Sequence, residues 1–240
     1  MSARFVYVFS KLFGYKSMTR NIPYLISTLM LPLAILFIFR MISYSKLFPF
    51  AILGGMVSLL LTNGLNTLFD SSRLRINQKF HDLLIATPLS PSSYLWGMIF
   101  NELFFASPSI AVYAVIGVIY HIYTVSSVIP IACILFMLYV AISALAFFMA
   151  GFPDHMRGVW GYTNILVILL SLLPPIYYPY TYLPKWLLGI FLILPTTSAS
   201  ILLQYAAGLA PLYTPALAIF PIEVAACVLL AVVFTRWRSK

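Results

Sequence analysis

Residues 70–94 read DSSRLRINQKFHDLLIATPLSPSSY. They are the one long polar insertion in an apolar chain. Asp70, Arg73, Arg75, Lys79, His81 and Asp82 come first, then breaks at Pro88 and Pro91. Long uncharged runs flank the stretch on both sides. Such an insertion reads as a loop between two membrane spans, where the chain reaches water and whatever it touches there.

Composition sets the solvent for everything around that loop. Of 240 residues, 62% are hydrophobic and 8% charged, and the mean hydropathy is +1.01. A soluble domain carries about 25% charged residues. A soluble core of this size could not cover so much apolar surface, so the sequence predicts an all-α polytopic membrane protein. The net charge of +9 falls in short clusters between apolar runs, which argues against a nucleic-acid partner. Cys133 and Cys227 lie in apolar runs and offer no disulfide framework and no metal spacing. The basic N-terminus lacks a short apolar core with a small-residue cleavage site, so no removable signal is expected.

Upstream of the loop, residues 1–20 read as an interfacial helix. Phe5, Phe9, Leu12 and Phe13 share one helical face, while Arg4, Lys11, Lys16 and Arg20 lie off it. A plain basic flank that orients the first span is the other reading. Residues 21–39 and 47–69 are the first two spans. Downstream, no charge other than Glu102 occurs between residues 93 and 153, which is too long for one crossing. The run HIYTVSS at 121–127 marks the turn between a third span (93–120) and a fourth (128–152). After PDHMR at 153–157 comes a fifth span, 159–173. Residues 174–210 open with PPIYYPYTYLPKW and read as an external re-entrant region of short helices, and 211–235 are the last span. Six spans put Arg4, Lys11, Lys16, Arg20, Arg73, Arg75, Lys79, Arg157, Arg236, Arg238 and Lys240 on one side and Arg40, Lys46 and Lys185 on the other. The positive-inside rule then predicts cytoplasmic N- and C-termini; a seventh span would divide the charges almost evenly. No polar segment is long enough to fold alone, so residues 1–240 read as a single transmembrane domain.

Few residues could carry chemistry. The string Gly14-Tyr-Lys-Ser lacks the spacing of a phosphate loop, and no HExxH or GxSxG occurs. His81, His121 and His155 fall in three separate loops, so no shared metal site is expected. Glu102 and Glu223 are acids inside spans, where ionisable residues are functional candidates. Glu102 could equally reach the headgroups or pair with a neighbouring span, and Glu223 could be a protonated acid bonded within the bundle. Asn63, Asn66 and Asp70 form one polar stripe on the second span, and Thr163 and Asn164 add polarity to the fifth. These are either interhelical hydrogen-bond partners or, with Glu223, the wall of a substrate pathway. Residues 76–87 read as a short helix. Its ridge of Phe80, Leu83 and Leu84, edged by Lys79 and Asp82, suits docking into a partner's groove or lying on headgroups.

The order of these features resembles the permease subunits of type-2 ABC transporters, over nearly the whole chain. Carrying the resemblance are RNIPY at 20–24, HDLLIATPLSPSSYLWGMIF at 81–100 and YYPYTYLPKWLLGIFLILPTTSAS at 177–200. Residues 77–82 depart from the family's more acidic run and leave Asp82 as the lone acid there. The resemblance implies an exporter half without a cofactor of its own. Two permeases, expected as a homodimer, would pair in the bilayer and each bind a separate ABC ATPase carrying ATP and Mg. The loop at 70–91 would hold a cytoplasmic coupling helix, with Lys79, Phe80, His81, Asp82, Leu83 and Leu84 as the ATPase contact. The cargo would be a lipophilic, drug-like, lipid or polysaccharide substrate. An ion-coupled carrier using Glu223 is the alternative, and a membrane-embedded enzyme lacks the clustered groups it would need.

Overall fold

The structure, a computed structural model, describes residues 3–15, 22–42, 47–77 and 90–233, and the regular elements among them are all helical. Helix α1 runs Ala3–Phe9 and continues as a π-helical turn over Ser10–Tyr15. The apolar runs then form α2 (Ile22–Ile42), α3 (Phe48–Ile76), α4 (Pro91–Ile119), α5 (Val125–Met149) and α6 (Met156–Ser171). A 3-10 turn at Tyr180–Tyr182 precedes two short helices, α7 (Lys185–Phe191) and α8 (Pro195–Ala206), and α9 (Thr214–Val233) closes the described chain.

Among the described residues, α3, α4, α5 and α9 are each long and apolar enough to cross a membrane. The pair α7 and α8, bent by 117°, makes a fifth if it counts as one broken span. Helix α6 has 16 residues. At 1.5 Å per residue it is ~24 Å long, less than the ~30 Å of a hydrocarbon layer. It ends just before Pro174 and Pro175, which cannot extend a helix.

Helix α3 is the hub. It packs against α2, α4, α5, α6 and α8 and is buried along most of its length. Lipid gives helices little hydrophobic reason to associate, so close packing relies on small residues. A β-carbon on Gly55 would fall 2.2 Å from the Tyr113 ring of α4, and one on Gly54 would fall 2.6 Å from the Ile176 carbonyl oxygen. Helix α5 is the second organiser, packed on α3, α8 and α9 and joined to α4 where the Tyr139 hydroxyl donates to the Ile99 carbonyl at 3.0 Å.

The turn expected at 121–127 is present. Helix α4 closes with Ile122 N–H on the Gly117 carbonyl (2.9 Å) and His121 N–H on Val118 (3.0 Å). His121, at φ 53°, takes the left-handed position usually given to glycine in this cap. Thr124 opens α5, its N–H bonded to Ser127 Oγ at 2.9 Å. Within α4, Pro108 has no N–H for the Phe104 carbonyl, and Ser107 Oγ donates to that oxygen instead at 2.8 Å.

Two expectations shift. The polar stretch does not open as a loop at Asp70: α3 continues to Ile76, since Ser71, Ser72 and Leu74 are buried and Asp70 pairs with Arg73 one turn on. In α1 the buried residues are Val6, Phe9, Ser10 and Gly14, while Leu12 and Phe13 are exposed. Phe9 packs against Gly97, and Gly14 lets the chain approach Asn101 and Phe104 of α4, so small residues set which face is covered. The expected coupling helix at 76–87 lies almost wholly at 78–89, outside the described residues.

Candidate functional site

One end of α3 builds a polar cavity of about 490 Å³. Four elements line it. Phe9, Leu12 and Phe13 come from α1; Asn66, Phe69, Asp70, Arg73 and Leu74 from α3; Met98, Asn101, Glu102 and Phe105 from α4; Trp160 and Thr163 from α6. The aromatic rings pack on each other as well as on the cavity. Phe9 stacks on Phe13 with centroids 4.7 Å apart, and Phe69 meets Trp160 edge-on at 5.4 Å.

The polar groups sit on the α3 and α4 walls. Arg73 pairs with Asp70 at 3.3 Å. Glu102 is 1% exposed and accepts from Asn101 Nδ2 at 2.7 Å, with Asp70 and Arg73 as its charged neighbours. Glu102 is thus held inside the bundle, bonded to its neighbour on the same helix and facing Asp70 and Arg73 of α3. Asn101 is 3% exposed, and its Oδ1 has no hydrogen-bond partner among the described residues.

Two residues beyond Arg73, Arg75 ties the end of α3 to the turn between α5 and α6. Its Nη1 donates to the Gly151 carbonyl at 3.2 Å and its Nη2 to the Pro153 carbonyl. The cavity, α1 and the turn at 151–155 therefore share one end of the bundle.

The expected pathway residues divide between locations. Asn66 and Thr163 meet at the cavity. Asn63 shares their side of α3 but lies one turn further in, fully buried, its Nδ2 donating to the Leu59 carbonyl at 2.8 Å. Asn164 is exposed on α6. Glu223 is on α9, its carboxyl buried with the Ser198 hydroxyl as its nearest polar neighbour and Cys227 one turn on. Lys79, Phe80, His81, Asp82, Leu83 and Leu84 lie outside the described residues. Sequence reading did not single out Asn101 or Trp160. An adjacent Asn-Glu pair inside an apolar run was the available signal for the first.

At the other end of α3, residues 174–182 run without regular helix apart from the short 3-10 turn and are tied down by α8. Gln204 is the centre of that knot. Its Oε1 accepts from Tyr180 N–H at 3.1 Å, and its Nε2 donates to the carbonyls of Pro175 (2.9 Å) and Tyr178 (3.0 Å). Ser200 Oγ also reaches the Pro175 carbonyl at 2.7 Å, and the Tyr180 hydroxyl donates to Pro211 at 2.9 Å. Irregular backbone inside a membrane bundle persists where side chains satisfy its polar groups in this way.

Long apolar helices packed around α3 define a multi-pass α-helical membrane protein. Residues 12–207, about four fifths of the chain, match the family model described as ABC-2 type transporter, and the chain belongs to that family. It is thus the permease component of an ABC transporter, a transport subunit rather than a catalytic one, and membership implies association with an ABC ATPase. No curated protein and no solved structure gives a significant match.

Proposed function

We propose that the chain is one half of an ATP-driven exporter: six spans, both termini in the cytoplasm, and two copies joined in a homodimer with two ATPase subunits. Residues 70–91 deliver the ATPase's movement to the spans. The docking face is Phe80, Leu83 and Leu84, with Lys79, His81 and Asp82 setting register. ATP and Mg bind in the partner, and their turnover drives alternating access that moves a lipophilic, drug-like, lipid or polysaccharide cargo outward. The 174–210 region dips in from the external face.

The observation that carries this reading is the clustering at one end of the bundle. Arg75 binds the turn at 151–153, and α1 packs beside the cavity, so Arg4, Lys11, Arg73, Arg75 and Arg157 gather where the polar loop leaves α3. Positive charge at one end of a helical bundle supports a cytoplasmic assignment for that end, and with it for the docking loop.

Co-purification tests the proposal. Tagged permease extracted from its native membrane should bring down an ATP-hydrolysing subunit. Replacing Phe80, Leu83 and Leu84 together with Asp should remove that subunit while leaving the permease inserted, a loss of at least about tenfold in recovered ATPase activity. Undiminished recovery would refute the docking face. Transport by the purified chain alone, driven by an ion gradient and lost in Glu223→Gln, would favour the carrier alternative.

A further inference from the structure

We infer that the cavity between α1, α3, α4 and α6 binds an organic cation with an aromatic or alkyl body, its charge set against Glu102 and Asp70 and its body against Phe9, Phe69 and Trp160. The inference concerns this chain alone and stands whether or not an ATPase docks at 79–84.

Charge is the first ground. Two carboxyl groups, Asp70 and Glu102, lie within hydrogen-bonding reach of each other, and among the described residues lining the cavity Arg73 is the one guanidinium beside them. A buried carboxylate left without a counter-charge must take up a proton or hold a cation. The second ground is independent of charge. Asn101 is almost fully buried, gives its Nδ2 to Glu102 and presents at the cavity wall an Oδ1 with no partner among the described residues. An unused acceptor beside a carboxylate invites a ligand that donates or carries positive charge. The third ground is the wall. The faces of Phe9, Phe69, Phe105 and Trp160 are electron-rich and attract a cation as well as its apolar body. An anion would meet two carboxylates, and a neutral hydrocarbon tail would bury these polar groups with no return. The volume, about 490 Å³, lies in the range of small-molecule sites.

The full-length chain in phosphatidylcholine nanodiscs provides the test. Equilibrium dialysis measures three probes separately, each against empty nanodiscs: tetraphenylphosphonium, tetraphenylborate as its anionic counterpart, and neutral triphenylphosphine oxide. Saturable binding of the phosphonium is expected, without saturable binding of the other two. Glu102→Gln or Asp70→Asn should weaken it at least about tenfold. Trp160→Leu, an exchange at an exposed residue that leaves the bundle intact, should weaken it about threefold. The inference is overturned if the phosphonium does not saturate, if tetraphenylborate binds as tightly, or if Glu102→Gln and Asp70→Asn both keep wild-type affinity.

Discussion

The two ends of α3 hold their polar groups in contrasting ways. Near Gly54 the chain at 174–182 is irregular, yet Gln204, Ser200 and Tyr180 satisfy its backbone. Sixteen residues further along α3, ~24 Å at the helical rise, the Asp70 end is regular helix, yet Asn101 keeps an acceptor that no described residue uses. Disorder of backbone and readiness to bind are thus separate properties. In the first region side chains hold the chain in place; in the second the chain holds side chains open. The difference follows from where hydrogen bonds close, since polar groups away from water are stable once paired and demanding until then.

Three substitutions break or sharpen that contrast. Gln204→Leu removes three hydrogen bonds to backbone and should be the most damaging, about 3 kcal/mol. A thermal melt in detergent followed by size-exclusion recovery would read it; a change under about 1 kcal/mol would mean the knot does not hold the region. Arg75→Ala should come next, about 1–2 kcal/mol. It should also raise amide exchange at residues 151–155, because their carbonyl partner is gone, while exchange in α9 stays unchanged. Glu102→Gln should be the mildest, within about 1 kcal/mol of wild type and on the stabilising side, since it removes a buried acid set beside a second acid, Asp70. If Glu102→Gln destabilised as much as Gln204→Leu, the cavity end would be a structural lock too, and the contrast would fail.

Helix positions were legible in the sequence because apolar length and turn chemistry are local properties. The break at HIYTVSS and the proline-tyrosine segment from 174 both appear where composition places them. Boundaries were less so. Nothing local announces that Ser71, Ser72 and Leu74 are buried, and that burial carries α3 on to Ile76. The covered face of α1 depended on the small residues Gly14 and Gly97, which an apolar-spacing rule overlooks. The cavity was legible only in fragments. Asn66 and Thr163 stood out as polar, but Asp70, Glu102 and Trp160 come from three helices and meet through packing alone. Nothing local marks Gln204, because its partners are 24 to 29 residues away.

The rescue of the Phe104 carbonyl by Ser107 has a mechanical consequence. At Pro108 the helical ladder is interrupted, but the carbonyl it strands already has a partner, so bending there breaks no further bond. Helix α4 is then two stiff rods on a joint. One rod carries Asn101, Glu102 and Phe105; the other carries Tyr113, wedged against Gly55, and Val115, Val118 and Ile119 on its exposed side. The joint therefore falls between the cavity wall and the part of α4 seated on the hub.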